Sequence, residues 1–277
     1  MIIDIHTHFW DFSDIASSSI VTAENAGGVN ARFNFTSEMH LEETKAVDKS
    51  VVFGLRGKGI NIPNDRVKAQ VDIAPERLIF FTSVNPSEED YMEELERTHQ
   101  DLGAQGIKLG PIYQGIHPTD KRYREIYSYA QTHDLPILIH MATTFVNDYP
   151  IDFARPIYMD EIALDFPDLK IVLAHLGHPW IGETIAIIRK QPNVYADISG
   201  LYYRPWQFYN AMQLLVEYGT WKKAFFGSDF PFTVPAESIT GVRNVNHPVE
   251  GTNLPKIPEE VIDGILNTDS LSILGIS

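Results

Sequence analysis

The sequence predicts an α/β protein of the (β/α)8, TIM-like barrel type. Eight short apolar runs recur along the chain, segments with helical periodicity lie between them, and the turn after the first run contains no glycine. The chain has 277 residues, without an internal repeat or a low-complexity linker. We therefore expect a single domain over residues 1–277.

The eight apolar runs have the near-continuous hydrophobic character of strands in a parallel sheet that is covered on both faces. In chain order they are MIIDIH (1–6), SVVFG (50–54), LIFFTSV (78–84), AQGIKL (104–109), LPILIH (135–140), LKIVLAH (169–175), NVYADIS (193–199) and KAFFGSD (223–229). Eight is the strand number of the closed barrel, so we expect each run to contribute one strand.

Apolar residues at helical spacing mark the segments between these strands. The clearest segments are SEMHLEETKAV (37–47), EEDYMEELERTHQDL (88–102), RYREIYSYAQTH (122–133), YMDEIALDF (158–166) and WIGETIAIIRK (180–190). An open, doubly wound sheet is the alternative, but it usually carries a glycine-rich phosphate-binding turn after its first strand. The corresponding turn reads HTHFWDF, which favours the barrel.

Composition argues against several classes of function. The formal net charge is −15, which disfavours a nucleic-acid partner. No apolar run is long enough to span a bilayer, and the opening stretch lacks the basic flank and cleavage site of a signal peptide. We therefore expect a cytoplasmic protein with no membrane partner. There are no cysteines, so any metal must bind nitrogen and oxygen ligands.

Two histidines stand one residue apart at the end of the first strand. In a regular strand alternate side chains share a face, so Asp4, His6 and His8 would point one way. Neutral imidazole is the commonest metal ligand, and two on one face could converge on an ion. An isolated His-x-His more often binds nothing, so the other strand ends must decide.

Other strands end in similar chemistry. Lys108, His140, His175 and Asp229 lie at the ends of the fourth, fifth, sixth and eighth runs. Barrel enzymes carry their sites at that end of the strands. A site of three nitrogens and one oxygen, with an open position for water, suits zinc and also manganese or iron. Its candidate ligands are His6, His8, His140 and Asp229. The histidines interpreted as surface or loop residues are His40, His99, His117, His133 and His247.

Five stretches that coincide with strand ends carry a family pattern. They are IDIHTH (3–8), GIKL (106–109), LPILIHMA (135–142), LKIVLAHLGHPW (169–180) and FFGSDFP (225–231). In this order they resemble the amidohydrolase superfamily, and more closely its branch that includes aminocarboxymuconate-semialdehyde decarboxylase. The C-terminal segment 257–276 resembles the closing helix of that branch, with Leu266-Asn267-Thr268 where Gly-Asn-Ala is usual. The resemblance covers essentially the whole chain.

The resemblance implies a role for each strand-end residue. His6 and His8 would be the first two ligands of one divalent metal ion per chain. His140 would be the third ligand and Asp229 the fourth. His175 would be the catalytic histidine beside the metal, polarising a substrate oxygen or shuttling a proton. Some decarboxylases of the branch have glutamate in place of the first histidine; this chain keeps both, as zinc-using members do.

Two further strand residues have alternative interpretations. In binuclear relatives, a lysine at the end of the fourth strand is carbamylated and bridges two metals. For Lys108 we favour a lysine that pairs with a carboxylate, or one that clamps an anionic substrate. Asp4 could orient a metal ligand from behind; equally, it could be a buried carboxylate that backbone donors satisfy.

The expected function is that of a metal-dependent hydrolase, in which a metal-activated water cleaves an amide, lactone or ester bond of a small-molecule substrate. Asp229 would accept a proton from the water, and His175 would help to stabilise the oxyanion. The alternative is a non-oxidative decarboxylase (carboxy-lyase) of an aromatic or unsaturated carboxylic acid, because the same residues can serve that reaction. Members of the branch are often dimers, and the sequence leaves a homodimer open.

Rim residues are the candidates for substrate binding. Arg56 after the second strand and Arg204 after the seventh could each hold a carboxylate bidentately. Aromatic side chains of the rim loops could form walls for an unsaturated ligand; they are Trp10, Phe145, Tyr202 and Tyr203. Side chains at such positions are more often packing residues, so their surroundings must decide.

Overall fold

The computed structural model describes residues 1–16, 36–144 and 147–276. Within these residues eight parallel strands alternate with helices, and each predicted run supplies one strand. The strands are β1 (Ile3–His8), β2 (Lys49–Phe53), β3 (Leu78–Phe80, continued by Thr82–Ser83), β4 (Ile107–Leu109), β5 (Ile137–Ile139), β6 (Ile171–Leu173), β7 (Val194–Asp197) and β8 (Ala224–Phe225).

The strands close into a barrel. β1, β2 and β3 pair in that order, and the continuation of β3 pairs with β4, from which the ladder runs on to β8. The N–H of Ile5 donates to the carbonyl of Phe226 at 3.2 Å, and that of His8 to Phe230 at 2.7 Å, which joins the chain after β8 to β1. The predicted TIM barrel is therefore confirmed.

Helices lie outside this ring of strands. They are α1 (Ser37–Thr44), α2 (Asn64–Val71), α3 (Tyr91–Gln100), α4 (Pro111–Gln114), α5 (Lys121–Thr132), α6 (Tyr158–Asp165), α7 (Ile181–Lys190), α8 (Pro205–Glu217), α9 (Pro235–Arg243), α10 (Glu259–Asn267) and α11 (Ser270–Leu274). The five predicted helical segments are confirmed, and α2, α4, α8 and α9 lie outside them. The C-terminal segment 257–276 forms two helices, α10 and α11, where the resemblance implied one. Among the helices described, none is both long and apolar enough to cross a membrane.

Apolar side chains fill the barrel toward the amino ends of its strands. Ile3, Val51 and Phe225 belong to this layer, and α11 packs Leu271 and Leu274 against it. A second apolar layer lies between the strands and the outer helices. Because the amino end is closed by apolar groups, the buried polar side chains collect at the carboxyl end.

The first strand departs from regular alternation. Asp4 lies opposite Ser50 of β2 and His8 lies opposite Phe53, so β1 contains one residue more than its partner over this stretch. Ser50 and Phe53 face opposite sides of the sheet, and Asp4 and His8 therefore do as well. The prediction that Asp4 shares a face with both histidines is wrong, because a β-bulge shifts the register.

Candidate metal centre and active site

The predicted strand-end residues meet at the carboxyl end of the barrel. They are His6 and His8 of β1, Lys108 of β4, His140 directly after β5, His175 in the turn after β6, and Asp229 in the loop after β8. Each of the six is between 0 and 8% exposed. We call this cluster of six residues the polar layer.

Asp229 lies at the centre of the polar layer. Its Oδ1 is 3.3 Å from Nε2 of His6 and 3.4 Å from Nε2 of His8. The candidate ligand atoms of His6, His175 and Asp229 all lie within 4.8 Å of one another. Imidazole nitrogens and a carboxylate oxygen at these distances form a donor set that suits a divalent ion. His6, His8 and Asp229 therefore fit a divalent metal, and His175, which was expected beside the metal, lies close enough to be a further donor.

The ring nitrogen of His140 that is free to bind a metal is Nδ1, because Nε2 has a backbone partner. Its Nε2 is 3.0 Å from the carbonyl oxygen of Ala142. Since a carbonyl only accepts, Nε2 of His140 carries the proton and Nδ1 keeps its lone pair. The ring centre of His140 is 4.9 Å from that of His175, and the edge-on ring of Tyr113 packs at the same distance. These contacts hold the imidazole in place.

Two residues of the polar layer have left-handed backbone conformations. The φ angle is +58° at His175 and +63° at Asp229. Such conformations cost non-glycine residues roughly 1–3 kcal/mol and persist where the surroundings impose them, often at functional sites. The N–H of Asp229 donates to the carbonyl of His6 at 2.8 Å, which ties this loop to β1.

Burial keeps the imidazoles neutral. It lowers the pKa of His6, His8 and His175 well below the ordinary value, and the positive charge of Lys108 adds to the effect. The pKa of His140 falls to about 3 for the same reasons. Neutral imidazole is the form that binds metals and accepts protons.

Lys108 is completely buried beside the candidate ligands. Its Nζ lies 3.2 Å from Nε2 of His6 and 4.6 Å from the centre of the Phe53 ring. Burial lowers the pKa of Lys108 to about 8, while Asp197 and Asp229 act in the opposite direction. Its hydrogen-bonding partner is thus an imidazole rather than the expected carboxylate. The anion clamp stays a prediction.

Asp4 lies outside the polar layer. Its Oδ1 accepts hydrogen bonds from the backbone N–H of His6 at 3.1 Å and of Ser228 at 2.8 Å. Of the two expected roles, the structure favours the carboxylate that backbone donors satisfy. Burial raises the pKa of Asp4 to about 7. Its contribution is to tie β1 to the chain after β8.

One histidine expected at the surface is buried. His40 on α1 is 0% exposed, and its ring lies 5.4 Å from that of Phe9 and 5.6 Å from that of Phe230. Its Nδ1 is 3.2 Å from the amide nitrogen of Gln70. The interpretation of His40 as a surface or loop residue is therefore wrong. Burial lowers its pKa to about 3.

Two buried residues at the end of β7 were not among the predicted site residues. Oδ2 of Asp197 is 2.9 Å from Nδ1 of His6, and Oγ of Ser199 is 2.9 Å from Nδ1 of His175. The signal in the sequence is the run NVYADIS, which ends in a carboxylate and a hydroxyl as other runs end in histidines.

The two rim arginines have different partners. Arg56 forms ion pairs with Glu88 at 2.6 Å and Glu94 at 3.4 Å, so a substrate carboxylate would have to compete with both. Arg204 stacks its guanidinium 4.3 Å from the ring centre of Tyr203. No carboxylate of the described residues lies within ion-pair distance of Arg204. Its role as a carboxylate ligand stays a prediction with more support than that of Arg56.

The aromatic candidates also differ. Trp10 is buried, with its ring centre 5.4 Å from that of His8. The hydroxyl of Tyr202 donates to the carbonyl of Gly227 at 2.6 Å, so this side chain supports the loop before Asp229. Phe145 lies outside the described residues. Of the predicted aromatic residues, Trp10 thus contacts a histidine of the polar layer and Tyr203 contacts Arg204.

Comparison with known proteins finds one matching family and several similar folds. A family model described as Amidohydrolase matches residues 3–274. No curated protein sequence matches the chain. Among solved structures, an uncharacterised TIM-barrel protein from Bordetella bronchiseptica is 19% identical, with a TM-score of 0.76 over 99% of each chain.

Two other similar structures carry functional descriptions. A dihydroxybenzoic acid decarboxylase from a Polaromonas species, solved with manganese and the inhibitor 2-nitroresorcinol, is 16% identical with a TM-score of 0.68; the match covers 99% of this chain and 96% of that chain. A probable 2-pyrone-4,6-dicarboxylic acid hydrolase from Acinetobacter baumannii, solved with citric acid, is 14% identical with a TM-score of 0.70 over 99% of each chain. Decarboxylases of aromatic acids recur among the similar structures. At such identities the likeness establishes the fold.

Proposed function

The chain belongs to the amidohydrolase family, and we propose that it is a divalent-metal-dependent decarboxylase of a small aromatic or unsaturated carboxylic acid. The observation that carries the proposal is the position of Arg204 beside the polar layer. Its guanidinium donates to the carbonyl of Gly200 at 3.0 Å. A Cβ at Gly200 would lie 3.0 Å from Nδ1 of His175 and 3.6 Å from Oδ2 of Asp229. A cation without a carboxylate partner among the described residues thus borders the candidate metal ligands.

The similar structures support the choice of reaction. Decarboxylases of aromatic acids recur among them, and the Polaromonas enzyme was solved with manganese. This support reverses the order expected from the sequence, in which hydrolysis came first. Manganese consequently joins zinc as the metal to test.

His6, His8, His140 and Asp229 would hold the metal ion. When bound, the ion would supply Lewis acidity toward an oxygen of the substrate. Arg204 would bind a substrate carboxylate through its planar guanidinium. Trp10 and Tyr203 would flank the unsaturated part of the molecule.

Decarboxylation breaks the carbon–carbon bond to the carboxylate, releases carbon dioxide and leaves a carbon that needs a proton. His175 is suited to relay that proton, because the available lone pair of its buried imidazole can take up a proton from solvent water and pass it to the carbon. Asp229 is the second titratable group close to this position, since its carboxylate lies within 4.8 Å of the candidate ligand atom of His175. Both residues are held by a strained backbone, which limits their freedom to move away.

Hydrolysis of a lactone or amide is the second candidate. A specific observation favours it: Oδ1 of Asp229 faces Nε2 of both His6 and His8, so this carboxylate is placed to accept a proton from a water molecule among them. The proton taken up by Asp229 would then pass to the leaving group. The similarity to the probable 2-pyrone-4,6-dicarboxylic acid hydrolase supports the same candidate.

The test begins with protein purified without a chelator or a histidine tag. Its metal content is measured, and a panel of hydroxybenzoic and enoic acids is assayed for release of carbon dioxide after loading with zinc or manganese. Lactones and cyclic amides are assayed for hydrolysis in parallel. Asp229→Asn should lower the activity about 100- to 10,000-fold. Asp148→Asn, at a rim carboxylate that pairs with Lys58, is the matched control.

The outcomes separate the two candidates. Metal-dependent release of carbon dioxide, with KM raised about 10- to 100-fold by Arg204→Met, would support the decarboxylase. Hydrolysis of a lactone or amide without carbon dioxide release would replace it by the second candidate. A protein that neither contains nor takes up a divalent metal would overturn both.

A further inference from the structure

Asp197 and Ser199 contact two histidines of the polar layer at once, and the function proposed above gives them no role. Both residues are completely buried. Asp197 is the last residue of β7, and Ser199 lies two residues beyond it. From this one strand end they reach His6 of β1 and His175 in the turn after β6.

The carboxylate of Asp197 acts only as an acceptor. Its Oδ1 accepts from the backbone N–H of His175 and of Ser199, each at 3.0 Å, and from the hydroxyl of Ser199. Its Oδ2 faces Nδ1 of His6 at 2.9 Å. An acceptor at this distance requires the proton of His6 on Nδ1. Nε2 of His6 therefore keeps its lone pair, toward Asp229 and Lys108.

Ser199 places the ring proton of His175 on Nδ1 in the same way. Its hydroxyl proton goes to Asp197, so the oxygen has only lone pairs left. Nδ1 of His175 lies 2.9 Å from this oxygen and 3.3 Å from the carbonyl of Ser199. Both neighbours accept, so Nδ1 of His175 carries its proton. Nε2 of His175 is left free for a ligand or a proton.

We infer that Asp197 and Ser199 are a positioning pair that sets the same tautomer in His6 and His175. Both imidazoles then present an unprotonated Nε2 to the polar layer. The inference rests on the proposed function for its use: Nε2 of His6 would bind the metal, and Nε2 of His175 would accept a proton before it donates one. A neutral His175 held this way acts first as a base.

Nitrogen-15 NMR of the full-length, metal-free protein with labelled histidine tests the pair, because protonated and unprotonated ring nitrogens have different chemical shifts. The signals are assigned with His6→Gln and His175→Gln. The test variants are Asp197→Asn and Ser199→Ala. Asp4→Asn is the matched control, since Asp4 is also a buried carboxylate but accepts from backbone N–H groups. Zinc and manganese titrations provide a second readout.

In the unmodified protein we expect a protonated Nδ1 on both His6 and His175. Asp197→Asn should mix the tautomers of His6, because an amide can donate to Nδ1, and should weaken metal binding about 10- to 100-fold. Ser199→Ala removes an oxygen that lies 2.9 Å from Nδ1 of His175 and 3.2 Å from Nδ1 of His6. It should mix the tautomers of His175, for which only the Ser199 carbonyl at 3.3 Å remains, whereas Asp197 still keeps the proton of His6 on Nδ1. Asp4→Asn should change neither tautomer.

A proton on Nε2 of either histidine in the unmodified protein would overturn the inference. So would unchanged tautomers in both test variants. If Asp197→Asn does not fold, Ser199→Ala decides alone, because it removes a single hydroxyl. The NMR readout needs neither metal nor substrate, so a failed decarboxylase assay would leave the inference standing. Conversely, wrong tautomers would leave the proposed reaction untouched.

Discussion

The two ends of the barrel differ in which groups surround their charged side chains. Near the amino ends of β7 and β8, the ammonium of Lys223 donates to the backbone carbonyls of Ile188 at 2.9 Å, Pro192 at 2.9 Å and Val194 at 3.3 Å. The carbonyl of Gln191 is a fourth acceptor. The rest of that end is packed mainly with apolar side chains, although Oγ of Ser50 in β2 and Oγ of Ser270 in α11 are buried without a hydrogen-bond partner among the described residues.

At the carboxyl end, polar side chains contact one another and do not use all of their atoms. Within the described residues, Nδ1 of His8 has no hydrogen-bond partner. The backbone is strained at His175 and Asp229. A buried polar atom without a partner destabilises the folded state. The difference teaches that the amino end stabilises the fold mainly through apolar packing, whereas the carboxyl end gathers titratable side chains and strained backbone that a ligand can use.

The largest effect on stability should come from the apolar floor. Leu274→Ala in α11 should lower the free energy of unfolding by about 2–5 kcal/mol, because Leu274 is buried against the barrel interior. Leu164→Ala, at an exposed leucine of α6, is the control. Urea unfolding measures both, and metal uptake by folded Leu274→Ala should be unchanged. Loss of metal binding in that variant would show that packing at the amino end also determines the site at the carboxyl end.

The carbonyl cluster around Lys223 should come next. Lys223→Met removes the donor from four backbone carbonyls, and we expect a loss of about 1–3 kcal/mol. Lys222→Met, at the neighbouring exposed lysine, should leave the unfolding free energy nearly unchanged. Equal effects of the two substitutions in urea unfolding would show that the carbonyls do not depend on this ammonium.

Alanine substitutions at two glycines can separate the cost of backbone strain from the effect of a new side-chain contact with His175. Gly200 and Gly219 have φ angles of +68° and +66°, so alanine at either should cost about 1–2 kcal/mol in backbone strain. A Cβ at Gly200 would also lie 3.0 Å from Nδ1 of His175, whereas at Gly219 it meets nothing within 4 Å. We expect Gly200→Ala alone to weaken metal binding and activity. Matching metal titrations for both variants would contradict the predicted contact.

The smallest effect concerns pH. Burial lowers the pKa of His40 to about 3 from 6.5, so between these values the unfolded chain binds a proton that the folded protein does not. His40 therefore does not reduce the free energy of unfolding well above pH 6.5, and it reduces this free energy progressively as the pH falls from 6.5 toward 3. Between pH 7 and pH 6 the contribution is less than about 1 kcal/mol.

His40→Gln in the metal-free protein should therefore show a flatter dependence of the unfolding free energy on pH than the unmodified protein. His117→Gln, at a partly exposed histidine of the rim, is the matched control and should keep the original dependence. An identical slope for His40→Gln and the unmodified protein would contradict the lowered pKa of His40.

Local pattern was sufficient to predict the barrel and the place of its candidate site. A strand covered on both faces needs a continuous apolar run, and the residue that ends such a run lies at the carboxyl end of the barrel. For this reason His140, His175 and Asp229 could be predicted to meet although they are far apart in the chain. The pattern could not predict the side-chain partners.

Residues that look alike in the sequence differ once the chain is folded. Arg56 and Arg204 both follow strands, yet Glu88 and Glu94 neutralise only the first. His40 resembles the surface histidines and is buried against two phenylalanines. Partner choice depends on which distant segments come together, and short-range periodicity carries no information on that.

The sequence alone was enough for strand order, strand ends and the chemical types of the candidate ligands, because hydrophobic periodicity and residue identity are local properties. Tertiary structure decided the bulge that separates Asp4 from His8, and the contacts of Asp197 and Ser199 with His6 and His175. These features depend on register and on hydrogen bonds between strands distant in the chain. Such geometry exists only when the barrel has closed.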